Sequence, residues 1–337
     1  MQVKASQASS IMAKAIKAKL VPLLSGSPGI GKSAIIHNIA KIYGMFVIDL
    51  RLAQCDPTDL NGFPTIIGER SGYRPMETFP IDGDKLPEGY NGWLLFLDEF
   101  TSCAPAVQAA AYKLVLDRMV GKFHLHKNVA IICAGNLETD GAVVHSMSTA
   151  LQSRLLHLEL VSNAPEWLEW AYENNFDHRI TSYIKFKEEA LYLFTADHTD
   201  NTYACNRTWE FANRVMAVTD DNDPDRLPML AGVISEGMAR EFLGFCKIYK
   251  DLPSIPEIVA NPTQIKVPDE PSILFAITGA ISNAASKDNL EKLLLYVSRL
   301  PAEFQVITLK ETVRRNSKML EHVAMQKWIA ESATTLV

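Results

Sequence analysis

No run of about eighteen apolar residues occurs in this 337-residue chain, so no membrane-spanning helix is expected. There is no C-x-x-C pair. The five cysteines (Cys55, Cys103, Cys133, Cys205 and Cys246) stand apart, which removes the common zinc-binding patterns. Scattered cysteines are read as free thiols in a reducing cytosol, and a cytoplasmic location is expected. An excess of positive charge is also missing. The chain carries 33 Lys and Arg against 39 Asp and Glu, a formal charge of −6. That balance gives no global support to a nucleic-acid binder and leaves only a local basic patch open. The first residues, MQVKASQASSIMAKAIKAKL, lack the long apolar core and cleavage site of a signal peptide. They read as an amphipathic helix whose Lys14, Lys17 and Lys19 form a solvated face. Internal repeats and low-complexity tracts are absent.

What remains is ordinary globular composition, 47% apolar and 21% charged, in a chain too long for one core. Two or three domains are expected. Up to about residue 160, short apolar runs alternate with helical patterns. The strand candidates are VPLL (21–24), MFVIDL (45–50), WLLFLD (93–98), VAIICAGN (129–136) and LLHLEL (155–160). Near-continuous apolar runs suit strands covered on both faces, so an α/β core with a parallel sheet is predicted. Helical patterns over Lys32–Tyr43 and 106–119 fit between them. Residues 61–91, rich in Gly and Pro, are long for a plain connection and read as a functional insertion. Within it a hairpin is expected around 69–72, on the turn signal of Ser71-Gly72. From about residue 163 the texture becomes helical, in PEWLEWAYENN, ITSYIKFKEEALYLF and TWEFANRVMAVT. A proline-rich stretch over 252–272 reads as a loop or linker, and further helices follow with a break at Pro301.

The chemistry-bearing residues begin with Gly26-Ser27-Pro28-Gly29-Ile30-Gly31-Lys32-Ser33, a match to G-x-x-x-x-G-K-[ST] between a strand and a helix. The glycines let backbone amides ring a phosphate. Lys32 is placed to reach the β- and γ-phosphates, and the Ser33 hydroxyl to ligate Mg²⁺. LLFLDE ends a strand in Asp98-Glu99. Asp98 is assigned to hold the metal through water and Glu99 to polarise the attacking water. AIICAGN puts Asn136 at another strand end, where an amide can orient that water.

These features resemble the AAA+ ATPases, and more closely the MoxR branch and its dynein-related relatives. GSPGIGKS is similar to that branch's Walker A, LLFLDE to its Walker B, and AGN falls where its first sensor stands. DPTDLNGFP (56–64) resembles the segment leading into the helix-2 insertion of this branch. The resemblance spans residues 1 to about 235. It implies an AAA+ core over 1–162 with an insertion over 61–91 and an all-α lid over 163–250; the Pro-rich linker and α-helical C-terminal region over 251–337 are read from their own pattern and match nothing specific in the family. MSTALQSRLLHLEL is similar to the family's A-L-x-x-R-F run, with Leu155 in place of Phe, and implies that Arg154 is an arginine finger completing a neighbouring subunit's site. NRTWEF resembles the lid segment that carries the second sensor, with Asn206 in place of Pro, and implies that role for Arg207. The family further implies a hexamer, ATP and Mg²⁺ as ligands, and often a partner with a von Willebrand A-type domain. Loops in the insertion and around 119–127 would then contact the substrate.

The leading expectation is a ring-forming ATPase that remodels a protein partner. A nucleotide-dependent assembly switch with slow turnover and a DNA-directed motor are the alternatives. The negative charge and the lack of a DNA-binding motif count against the motor. A small-molecule kinase would leave Asn136 and Arg154 unexplained. Several other features are given structural roles: Arg118 as a solvated helical residue, His124 and His126 as non-ligands, and Trp167 and Trp170 as core of the helical region.

Overall fold

The computed structural model describes residues 1–141, 144–250 and 252–332. Of the helical region expected over 251–337, Asp251 and 333–337 lie outside the described residues. The chain divides into two compact units. One comprises Met1–Ser162 with Phe194–His198, the other Asn163–Leu193 with 199–337.

The first unit is built on ten strands: β1 (Gln2–Val3), β2 (Val21–Ser25), β3 (Met45–Arg51), β4 (Phe63–Ile67), β5 (Arg70–Arg74), β6 (Gly92–Asp98), β7 (Met119–Val120), β8 (Phe123–His124), β9 (Val129–Gly135) and β10 (Leu155–Leu160). Its helices are α1 (Ala5–Lys17), α2 (Lys32–Tyr43), α3 (Pro57–Asn61), α4 (Pro105–Asp117) and α5 (Thr149–Gln152). Six strands form one sheet in the order β1-β10-β2-β9-β6-β3, every pair parallel. All five strand candidates are in it, and the predicted α/β class is the one found.

Parallel pairing requires crossover connections, so both sheet faces are covered, and the central strands are apolar throughout. On one face Leu95, Leu97, Ile131 and Cys133 share a core with Val107, Ala111 and Leu114 of α4. Phe96 alternates to the other face, where its ring meets His37 of α2 edge-on at 6.0 Å. The chain steps outward from β2 to β3, returns through β6 and β9, and then crosses to β10 on the far side of β2. β2 is therefore the switch point, and the crevice at its carboxyl end is where ligands of such sheets bind.

Within residues 61–91, β4 and β5 form an antiparallel hairpin whose Ile67 pairs with Arg70. The turn is Gly68-Glu69, not Ser71-Gly72, which lie inside β5. Gly68 takes the left-handed conformation (φ +64) that a tight turn demands. The rest of the segment runs beside the β7–β8 hairpin, with Asp82 N donating to His124 O and His126 N to Pro80 O.

The second unit is helical: α6 (Ala164–Glu173), α7 (His178–Phe186), α8 (Asn206–Val218), α9 (Arg226–Ile234), α10 (Glu236–Cys246), α11 (Ile255–Ala260), α12 (Pro271–Ala284), α13 (Leu290–Val297), α14 (Ala302–Arg315) and α15 (Val323–Ser332). Trp209, Tyr183 and Phe242 anchor its first core, which also includes Ala276 of α12. Leu274, Ile277 and Ile281 of the same helix join a second core with α13 and α14. The helix expected to run through ITSYIKFKEEALYLF stops at Phe186. A single 3₁₀ turn, Glu188–Leu191, follows. There the buried indole of Trp209 takes the Ala190 carbonyl at 2.9 Å, a carbonyl that a continuing helix would consume. The proline-rich 252–272 stretch is not all loop. Ser254 and Glu257 cap each other across the start of α11.

Candidate functional site

Residues 26–31 leave the carboxyl end of β2 and turn directly into α2. Gly31 caps that helix with φ +102, a conformation open to glycine. No side-chain hydrogen bond caps the helix start, and an anion is the group the helix dipole favours there. Gly26 is held at close quarters. Its amide donates to Gly135 O at 3.2 Å, and an added Cβ would lie 3.0 Å from Leu160 O. Strand, glycine loop and helix in this order are the P-loop arrangement.

The predicted residues of the loop and of the strands beside it converge. Lys32 Nζ donates to Asn136 Oδ1 at 3.0 Å and folds back on its own loop, at 2.5 Å from Gly26 O and 3.2 Å from Ser27 O. Ser33 Oγ donates to Asp98 Oδ2 at 3.2 Å. β6 lies beside β9, which lies beside β2, so Asp98, Asn136 and the glycine loop emerge at one end of the sheet. Glu99 follows Asp98 with φ +55, left-handed for a non-glycine residue, and its amide donates to Asp98 Oδ1 at 2.8 Å. Strained backbone of this kind gathers at functional sites. On the neighbouring strand, Arg51 is level with Asp98. Asp49, two residues earlier, has its carboxyl pKa raised by burial first and by the Asp98 charge second.

Arg154 is elsewhere. It is exposed and stands just before β10, whose Leu155 is level with Val21 at the amino end of β2. The glycine loop leaves the other end, about 15 Å of strand away. Its guanidinium lies over the Tyr112 ring at 5.2 Å and donates to Ala150 O and Ser153 Oγ. Arg207 is an exposed residue in the first turn of α8, in the second unit.

Arg118 departs from the solvated role expected of it. It ends α4 in a left-handed conformation, and its guanidinium donates to Val129 O. Burial alone pulls its pKa down. His126 is engaged by its own surroundings, accepting from Asn128 N at 3.1 Å and meeting the Trp93 ring at 5.1 Å.

Two further residues carry no motif of their own. Thr101, buried, donates from Oγ1 to Asn136 O at 3.1 Å and accepts from Asn136 N at 3.0 Å. Asp140, also buried, accepts from Ser27 Oγ at 2.8 Å and from Leu137 N at 3.0 Å, tying the glycine loop to the loop after β9. Their only signal in the sequence is nearness: Thr101 is two positions past Glu99, and Asp140 four past Asn136.

No family model matches the chain, and no curated protein matches it. Among solved structures it is similar to NtrX from Brucella abortus, also solved in complex with ATP. The identity is 15%, with 98% of this chain and 68% of that chain covered and a TM-score of 0.41. It is also similar to the RuvB Holliday junction branch migration motor of Thermotoga maritima, at 12% identity over 97% of this chain and 86% of that chain, with a TM-score of 0.33. Values this low leave the function to be read from the chain's own side chains.

Proposed function

We propose that this chain binds Mg-ATP at the 26–33 loop and hydrolyses it, with Arg154 of a second copy completing the site. The observation that carries the proposal is the convergence of Lys32 with Asn136 and of Ser33 with Asp98 at the switch point of a parallel sheet. The donor set suits a hard cation: a hydroxyl and a carboxylate, 3.2 Å apart, with no thiol or imidazole between them. Bound there, Mg²⁺ would supply charge neutralisation between the phosphates.

The chain's own residues divide the remaining work. The loop amides and Lys32 bind and orient the phosphates, for which the ammonium must leave Gly26 O and Ser27 O. Glu99 is the carboxylate proposed to take a proton from the attacking water, and Asn136 the amide proposed to hold that water. Arg154 lies too far along the sheet to serve its own loop, which supports a role across an interface. A guanidinium supplied that way would make hydrolysis depend on assembly. Arg207 is proposed as a sensor of the same nucleotide. The AAA+ resemblance extends this to a ring, a hexamer in the MoxR branch, that remodels a protein partner.

Lys32→Ala and Glu99→Gln test the reading together. ATP binding is lost in the first. In the second binding persists while turnover stops. Normal turnover in Glu99→Gln would remove Glu99 from its role, and normal turnover in Lys32→Ala would remove the site.

A further inference from the structure

We propose that Thr101 is a positioning residue that locks Glu99 and Asn136 into one fixed relation, an inference that rests on the ATPase reading above. The regular β6–β9 ladder ends at Leu97 and Cys133. Beyond it Glu99 turns left-handed and takes the backbone out of register. Phe100 N then returns to Ala134 O at 2.8 Å, and Ser102 N closes onto Glu99 O at 2.9 Å. Gly135 O is taken from the β2 side by Gly26 N, so the next backbone facing Thr101 is that of Asn136, and it meets a side chain where a strand would have supplied a backbone. The Thr101 hydroxyl accepts from Asn136 N and donates to Asn136 O.

One oxygen thus stands in for both halves of a strand pairing, which needs a group that is donor and acceptor at once. The fit is close on its other side too. A Cβ on Gly135 would lie 2.5 Å from Thr101 Oγ1 and 2.7 Å from Cγ2, so the threonine occupies the space a side chain at 135 would need. The Thr101 carbonyl accepts from His145 N at 2.8 Å, which holds the residue from a third direction. Glu99 is two residues upstream of this anchor, and the Asn136 amide is bonded to Lys32 on its far side. The carboxylate that takes the proton and the amide that holds the water are therefore tied through this hydroxyl, which extends the link that Phe100 N makes to Ala134 O out to Asn136 itself. Loss of that hydroxyl frees the one against the other without removing a phosphate contact.

The test compares Thr101→Val, which keeps the shape, with Thr101→Ser, which keeps the hydroxyl, measuring steady-state turnover alongside equilibrium binding of a fluorescent ATP analogue. Thr101→Val is expected to lose roughly a hundredfold in kcat, the scale of an ångström-sized misplacement, with analogue binding unchanged. Thr101→Ser restores most of kcat. Wild-type kcat in Thr101→Val overturns the proposal. An equal kcat loss in the serine and valine variants, or binding lost in step with kcat, also overturns it, since a merely structural residue behaves so. Should Thr101→Val be insoluble, Thr101→Ala and Thr101→Ser are compared in the same way, because they differ by the hydroxyl alone. Lys32→Ala is the control that separates the two levels. Turnover that survives it overturns the ATPase reading and this role with it. Turnover that Lys32→Ala abolishes and Thr101→Val keeps overturns the role of Thr101 alone.

Discussion

The Ser33 hydroxyl donates to Asp98 Oδ2 at 3.2 Å, joining the start of α2 to the end of β6. A serine in the first turn of a helix and an aspartate at a strand end, far apart in the chain, form one oxygen-lined corner. Turnover is therefore expected to require a divalent cation and to stop when EDTA removes it. Asp98→Asn should raise the Mg²⁺ concentration for half-maximal turnover about 10–100-fold, the range for residues that orient a metal's ligands. A Mg²⁺ titration of ATPase rate checks this, and an unchanged half-maximal concentration would take Asp98 out of the corner.

Arg154 offers the sharpest test of a shared site. Arg154→Ala should lower kcat about a thousandfold or more. Because the residue is exposed, hydrogen-bonded to Ala150 O and Ser153 Oγ beside it and stacked on the Tyr112 ring, stability should change by no more than about 1 kcal/mol. Mixing Arg154→Ala with Lys32→Ala should recover activity, since the first protein brings an intact loop and the second an intact arginine. A mixture as inactive as its parts would make Arg154 a residue of its own chain.

The second unit carries a pH-dependent element of its own. Burial holds the His178 pKa down at about 4, against 6.5 for a free imidazole. Arg179 and Arg315 act in the same direction, and Asp177 opposes them. The unfolded chain binds this proton more readily than the folded one, so stability from this residue is complete above pH 6.5 and falls as the pH drops toward 4. Urea midpoints of the wild type should decline through that window, and His178→Gln should flatten the slope. An identical slope in both would assign the decline to other groups. The ion-paired Asp177 and Asp221, whose carboxyl pKa values are lowered by their arginine partners, lend stability that is complete above the ordinary carboxylate range and is lost only at more acid pH.

Trp209 is fully buried, and its Nε1 donates to Ala190 O at 2.9 Å. Trp209→Ala should cost about 3–5 kcal/mol, for the lost contacts and the cavity they leave. It should also leave the Ala190 carbonyl without this donor. Chemical denaturation followed by far-ultraviolet circular dichroism reads the cost. A loss below about 1 kcal/mol would mean the cavity collapses.

Much of this protein is legible along the chain. The apolar runs that become β2, β6 and β9 are uninterrupted because both sheet faces are covered there, whereas β3 and β10 keep enough apolar residues around Asp49, His157 and Glu159 to be recognised. Gly31, Lys32 and Ser33 are legible for a similar reason: a phosphate cradle is a local object, built from consecutive amides and a helix start. The turn of the β4–β5 hairpin was less so. Ser71-Gly72 and Gly68-Glu69 carry similar turn signals, and cross-strand pairing decided between them.

The sequence by itself picked out the five long strands of the main sheet and the glycine loop, and it proposed Asp98, Glu99, Asn136 and Arg154 as candidates because each stands in a contiguous motif. Only the tertiary structure decided how they stand to one another. It brought Lys32 to Asn136 and Ser33 to Asp98 through the strand order, and it put Arg154 at the opposite end of the same sheet. It turned Arg118 inward to Val129 O, where a helical pattern alone reads as solvated. It also gave Thr101 and Asp140 their partners. The physical reason is one of range. Local propensity and periodicity act over a few residues, whereas a hydroxyl pairing with a backbone thirty-five residues away is set by which strands lie side by side.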